Sequence, residues 1–321
     1  MKTLIRICCA LLPILGAAQA ADQAYPSRPM RIVVAFPAGG PIDIVARMLA
    51  PKLSETMGQA VIVDNRAGAN GAIGTDHVVK SAADGYTLYL ASPSAIAINP
   101  AVSKVPFDTL RDLACVSLVS TTPELLVVHP SVPVKSVREL VAMAKAQPGK
   151  IVMASTGTGG LPHLALELLK SAARIDILHV PYKGAAPAVT DVLGGQVHGI
   201  FADLPVLYPY VTAGKLRALA VASPKRAPLL PNLPTMTEQG LPSVEAVNWY
   251  GILVPAKTPR EIIARLNEGI VKSVNDKELS KRMIERGADP ITNTPDQFTS
   301  FLRGDMQRWA KIAKTSGIKI E

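Results

Sequence analysis

The feature that most restricts what this chain can fold into is a unit that occurs twice: a compact apolar strand, a glycine-rich loop and an amphipathic helix opened by proline. Met30 to Phe36 reads as the first strand, Pro37-Ala38-Gly39-Gly40-Pro41 as its loop, and Ile42 to Thr56 as its helix, with Ile44, Val45, Met48 and Leu49 on one face. Ile151 to Ala154, then Ser155-Thr156-Gly157-Thr158-Gly159-Gly160, then Pro162 to Ala173 repeat the arrangement. Pro41 and Pro162 suit a first helical turn, where the missing N–H has no intrahelical partner to lose. Strands are also expected at Ala60 to Asp64 and Thr87 to Ala91, with a helix from Ile73 to Ala82 between them. Further short units fall at Ile177 to Val180, Ala186 to Leu193, Val197 to Phe201 and Leu216 to Ala222. Such alternation implies an α/β fold built on a mostly parallel sheet.

Length turns one such fold into two lobes. The chain has 321 residues, beyond the roughly 250–300 at which single cores tend to split. The apolar stretches Leu113 to Val128 and Val244 to Val254 are the expected crossings between lobes. Helical periodicity at Pro259 to Val274 and Pro295 to Ser316 predicts a C-terminal part that packs back on the first lobe. This division assigns residues 21–122 and 245–321 to one lobe and 123–244 to the other. A hydrophobic content of 48% excludes disorder, and 23 Gly with 27 Pro suit many short units joined by defined turns.

Residues 1–20 have the pattern of a secretory signal peptide: Lys2 and Arg6, an apolar run from Ile7 to Gly16, and a small-x-small site at Ala18-Gln19-Ala20. The apolar run is shorter than the roughly 20 residues of a spanning helix. Without this segment, which carries Lys2, Arg6, Cys8 and Cys9, the chain keeps a net charge of +7 and one cysteine, Cys115. An exported chain with one cysteine has no internal disulfide and relies on its core, as a periplasmic protein does. The positive charge does not point to nucleic acid. Lysines and arginines are scattered, with no run longer than pairs such as Lys225-Arg226, and fourteen aromatic residues offer no stacking platform.

Several chemistries lack their residues. The histidines, His77, His129, His163, His179 and His198, show no i, i+4 pair, so no metal site is expected. Ser155 follows Met153-Ala154 and lacks the Gly-x-Ser-x-Gly elbow of a hydrolase. Gly157-Thr158-Gly159 begins like a dinucleotide loop, yet Pro162 stands where the third glycine belongs, and no cofactor is expected. What remains is the pair of glycine loops, each entering a helix N-terminus. Unpaired N–H groups at such a start carry partial positive charge and form an anion site without basic side chains. Two of them facing each other would hold a molecule with a carboxylate at each end.

The candidate ligand-binding set is therefore Phe36, Pro37, Ala38, Gly39, Gly40, Asp43, Ser92, Ser94, Ser155, Thr156, Gly157, Thr158, Gly159, His163, Lys183 and Asp203. Thr156, Thr158 and Ser155 add hydroxyl donors. Asp43, near the third helical position, suits a cap that orients the loop. Lys183 offers a counter-charge, and Asp203 follows a strand whose carboxyl end can face a cleft.

At these residues the sequence resembles the tripartite tricarboxylate transporter receptors, the Bug-type extracytoplasmic solute-binding proteins. The matching segments include Phe36-Pro37-Ala38-Gly39-Gly40 with Asp43, Val63-Asp64-Asn65-Arg66, Gly68 with Gly71, Asp84-Gly85-Tyr86-Thr87-Leu88, His179-Val180-Pro181-Tyr182-Lys183-Gly184, Gly194-Gly195-Gln196-Val197 and Gly214-Lys215-Leu216-Arg217-Ala218-Leu219-Ala220. The resemblance implies a two-lobed periplasmic binding protein of the type II, Venus-flytrap kind, hinged between lobes. It also implies a monomer without enzymatic activity that passes a small carboxylate to membrane subunits of a tripartite tricarboxylate transporter. In such receptors backbone donors of the two loops hold the ligand. His198 stands where an acidic residue is common, and Pro41-Ile42 replaces a more polar pair, which keeps aromatic dicarboxylates beside aliphatic ones. Two alternatives remain at this point: an exported hydrolase using Ser155, and a sensor whose closed form signals to a partner.

Overall fold

The computed structural model describes residues 25–315; the expected signal peptide and Ser316 lie outside the described residues. The first lobe opens with β1 (Met30–Val34), α1 (Pro41–Met57), β2 (Val61–Asn65), α2 (Ala72–Val79) and β3 (Thr87–Ala91). A widened helical turn over Ser94–Ile98 and two short helices, α3 (Asn99–Val102) and α4 (Thr109–Asp112), lead into β4 (Leu113–Val128). The second lobe follows with α5 (Val137–Ala146), β5 (Val152–Ser155), α6 (Leu161–Ala173), β6 (Leu178–Pro181), α7 (Ala185–Leu193), β7 (Gly199–Asp203), α8 (Leu204–Thr212) and β8 (Arg217–Val221). The chain then returns through β9 (Val247–Pro255), α9 (Arg260–Val274), α10 (Lys277–Ile284), β10 (Asp289–Pro290) and α11 (Pro295–Thr315).

Both sheets have one plan. In the first, β1 is flanked by parallel β2 and β3, and then by antiparallel β9 and β4. In the second, β5 is flanked by parallel β6 and β7, while antiparallel β4 sits between β7 and β8. The sixteen-residue β4 therefore belongs to both: Leu113 to Pro123 pairs with β9, and Glu124 to Val128 pairs with β7. The expectation of a mostly parallel sheet holds for the strand–loop–helix units and fails at these crossings. A strand that leaves one lobe and a strand that returns to it must run in opposite directions, so they pair antiparallel.

Each sheet is buried on both faces. In the second lobe Leu126 and Val128 pack with α5 and α6, while Leu125 and Val127 pack with α7 and α8, the two-residue alternation of a strand covered on both sides. In the first lobe α1, α9 and α10 cover one face through Leu49, Leu53, Ile270 and Met283. Val33, Tyr89, Trp249 and Phe298 fill the other. α11 departs from expectation. Phe298 and Leu302 rest on the first lobe, but Trp309 and Ala313, two to three turns on, enter the core of the second. A helix of 21 residues, about 31 Å long at 1.5 Å per residue, is long enough to strap both lobes.

Candidate functional site

The two glycine loops sit at the carboxyl ends of β1 and β5, each the middle strand of a parallel trio, where open α/β sheets leave a crevice. The first loop is tied down by a carboxylate. Asp43, the third residue of α1, accepts the Gly39 N–H at 2.8 Å and Arg47 Nε at 2.8 Å on Oδ2, and Asn65 Nδ2 at 2.9 Å on Oδ1. Asn65 also donates to Phe36 O at 3.1 Å. Gly39 has φ +77°, a left-handed turn that favours glycine and points its N–H back at Asp43. Burial alone would raise the Asp43 pKa, but the bonds from Arg47, Gly39 and Asn65 outweigh it and hold the carboxyl below its usual range.

Histidines anchor the second loop. His163 Nδ1 accepts the Gly159 N–H at 3.0 Å, and His179 Nε2 lies 2.6 Å from Ser155 Oγ. The two imidazoles are stacked, with centroids 4.1 Å apart and planes 11° from parallel. Burial lowers both pKa values to about 4, helped at His163 by Lys170 and at His179 by His163 and Lys170. The stack is thus neutral at neutral pH, which the Gly159 bond requires, because a protonated Nδ1 cannot accept.

The loops face one another across a cleft of about 740 Å³, within the usual size of a small-molecule site. Phe36 and Pro37 line it from the first lobe, and Thr156, Gly157, Thr158 and Lys183 from the second. A smaller inner cavity of about 40 Å³ lies against Phe36, Pro37, Gly40, Ser92, Ser94, Thr156 and Asp203, with Pro41 and Ile42 at its wall. Ala38, Gly39, Asp43, Ser155, Gly159 and His163 line neither space; Gly39 and Gly159 spend their N–H groups on Asp43 and His163. The backbone N–H groups of Ala38, Thr156 and Thr158 find no partner among the described residues, and neither do the two threonine hydroxyls. The glycines give the loops their shape, and these neighbours carry the open donors.

Sequence reasoning missed a third wall, the segment Ala67 to Gly71 with Asn99, Ser103 and Lys104. Asn70, at φ +48°, donates from Nδ2 to Gly159 O across the cleft at 3.0 Å, and Asn99 Nδ2 holds the turn through Ala69 O at 2.9 Å. Ser94 Oγ accepts the Leu161 N–H from the opposite lobe at 3.0 Å. Pro37 abuts Gly184, where an added Cβ would lie 3.1 Å from the proline ring. The lobes are closed on each other. The paired glycines Gly68 and Gly71 were the available signal for this wall, since they bracket a turn with φ above zero. The floor of the inner cavity, Asn248 and Tyr250 beside Asp203, comes from β9 and carried no local signal. His198 is structural: its Nδ1 accepts the Val152 N–H at 2.9 Å at the start of β5.

Comparisons with known proteins agree with this fold. The family model described as "Tripartite tricarboxylate transporter family receptor" matches residues 45–318. The protein BugT of Bordetella pertussis is 40% identical over 307 residues, covering 95% of this chain and 94% of that one. Among solved structures, a Rhodopseudomonas palustris protein with adipate superposes with a TM-score of 0.89 at 36% identity, covering 92% of this chain and 99% of its own. The periplasmic binding protein BugD superposes with a TM-score of 0.87 at 33% identity over 92% of this chain and all of that one. The fold is therefore that of a two-lobed periplasmic binding protein.

Proposed function

This chain belongs to the tripartite tricarboxylate transporter family receptors, and from that premise we propose that it captures a small di- or tricarboxylate in the periplasm and delivers it to membrane subunits of such a transporter. The observation that carries this reading is the pairing of two proline-opened helix starts, one per lobe, whose loops leave the N–H groups of Thr156 and Thr158 open at one cleft and that of Ala38 open beside Pro37 at its rim. Lys104 and Lys183, exposed on opposite lobes, line that cleft and form no ion pair among the described residues. They draw an anion toward it, and the backbone donors hold it. The solved neighbour with adipate favours a linear dicarboxylate bridging the loops.

In this reading residues 1–20 direct export and are removed. Residues 21–122 with 245–321 form one lobe, apart from the end of α11 that reaches into the other, 123–244, and the lobes swing about β4 and β9 as a monomer closes on its ligand. Asp43 and His163 act on the ligand indirectly, by holding the loops. The hydrolase alternative loses its nucleophile: Ser155 is completely buried, lines neither cavity, and is engaged with His179 and the Gly157 backbone.

The test is a thermal-shift and calorimetry series with acetate, succinate, adipate, phthalate and citrate. At about 100 times its dissociation constant a true ligand adds roughly 2.7 kcal/mol of stability. Stabilisation by a dicarboxylate or by citrate, and not by acetate, is expected; no response to any of them at saturating concentration overturns the reading.

A further inference from the structure

Behind the inner cavity lies a pair of carboxyl groups that carboxylate capture does not call for. β4 and β7 are antiparallel with Glu124 directly opposite Asp203, so the two side chains leave the sheet on one face. Asp203 lines the cavity at 3% exposure, and Glu124 is wholly buried. Asp203 is well served: Thr122 Oγ1 donates to Oδ1 at 2.7 Å, and Asn248 Nδ2 and Tyr250 OH donate to Oδ2 at 3.1 Å each. Glu124 has no such help, since neither of its carboxyl oxygens has a hydrogen-bond partner among the described residues.

Among the described residues no cation offsets the pair. The titratable groups facing Glu124 are Asp203 from β7 and Tyr250 from β9. Three charged groups on elements packed against β4 are engaged away from it. On α11, Asp305 accepts from Trp249 and Arg308 turns to Glu245; on β8, Arg217 donates to the carbonyls of Val132 and Val134. Two neighbouring buried carboxylates with no cation between them do not both ionise. Burial raises the Asp203 carboxyl to about 6 against the donors from Thr122, Asn248 and Tyr250, and Glu124, buried beside it without donors, is pushed further up and keeps a proton. An arriving carboxylate then brings a further negative charge next to Asp203.

We propose that Glu124 and Asp203 form a shared proton-binding site beneath the ligand cavity, and that an anionic ligand seats with uptake of a proton onto this pair. The uptake rests on the carboxylate reading above; the proton site itself does not. By linkage, affinity rises as the medium is acidified, by about three- to tenfold per pH unit between pH 7.5 and 6.

Two measurements on the full chain test it. In the ligand-free protein, ¹³C-carboxyl NMR with Glu124→Gln as the assignment control should show a glutamic acid that remains protonated at pH 7. Calorimetry with adipate, run at pH 7 in buffers of different ionisation enthalpy, should show proton uptake in the wild type, less of it in Glu124→Gln, and none in Asp203→Asn. A Glu124 carboxyl that titrates below pH 5 overturns the proton site, and equal uptake in all three proteins overturns the coupling. A protein that binds none of the carboxylates tested overturns the capture reading and the uptake with it, while the NMR titration still decides the proton site.

Discussion

The two glycine loops perform the same task with different anchors. Each follows the middle strand of a parallel trio, opens a helix with proline, and directs one N–H inward to a side chain four residues on: Gly39 to Asp43, Gly159 to His163. The first anchor is an anion held by Arg47 and Asn65, and the second is a neutral imidazole stacked on another. Loop shape thus depends on a spacing of four residues into the helix, not on the chemistry of the acceptor. Sensitivity to pH does depend on it. The carboxylate stays an acceptor until the medium is strongly acidic, whereas the imidazole ceases to be one on protonation.

The largest effect is expected where one group serves most partners. Asp43→Ala leaves Gly39, Arg47 and Asn65 without their acceptor, and hydrogen bonds to a charged group contribute about 1.5–3 kcal/mol. We expect a loss of that order in denaturant unfolding and a more than tenfold loss of adipate affinity. Affinity within twofold of wild type would break the claim that the anchor sets the loop. His163→Ala should follow, with about 1–3 kcal/mol for the orphaned Gly159 N–H.

Acidification separates the anchors. Burial depresses the histidine pKa values from 6.5 to about 4 in the folded chain, so the unfolded state binds more protons in that window. Stability from the stack is complete above pH 6.5 and is lost as pH falls through about 4. Unfolding temperature measured from pH 7 to 4 should fall more steeply for wild type than for His163→Ala; parallel curves would remove the distinction between anchors.

Smaller effects lie between the lobes. Asn70→Gly keeps the left-handed backbone and removes the bond to Gly159 O, so adipate affinity should drop about fivefold, near 1 kcal/mol, with little change in ligand-free stability. A large fall in stability would show that Asn70 supports its own lobe instead. Lys104→Ala and Lys183→Ala come last. Each should slow association a few-fold at low salt and make no difference at high salt, as peripheral charges do, measured by stopped-flow.

Local pattern carried the repeated unit. Thr87–Ala91 and the proline-opened helix starts were legible because alternation, helical periodicity and proline act within a few residues. Features fixed by distant pairing were not. β4 reads as one apolar run, and nothing in it says that its first part joins β9 and its last part β7. The destination of Trp309 and the floor of Asn248 and Tyr250 were hidden for the same reason, because their neighbours come from other lobes or strands. Glu124 illustrates the limit most sharply. In sequence it is the one charged residue in an apolar stretch, and only the register that sets it against Asp203 gives it meaning.

The most direct test is a crystal structure of the chain with adipate. Ligand carboxylate oxygens about 2.7–3.2 Å from the Ala38 N–H on one side and the Thr156 or Thr158 donors on the other would match two loops sharing one ligand. Adipate held by Lys104 or Lys183 alone, with both loop donors facing water, would contradict it.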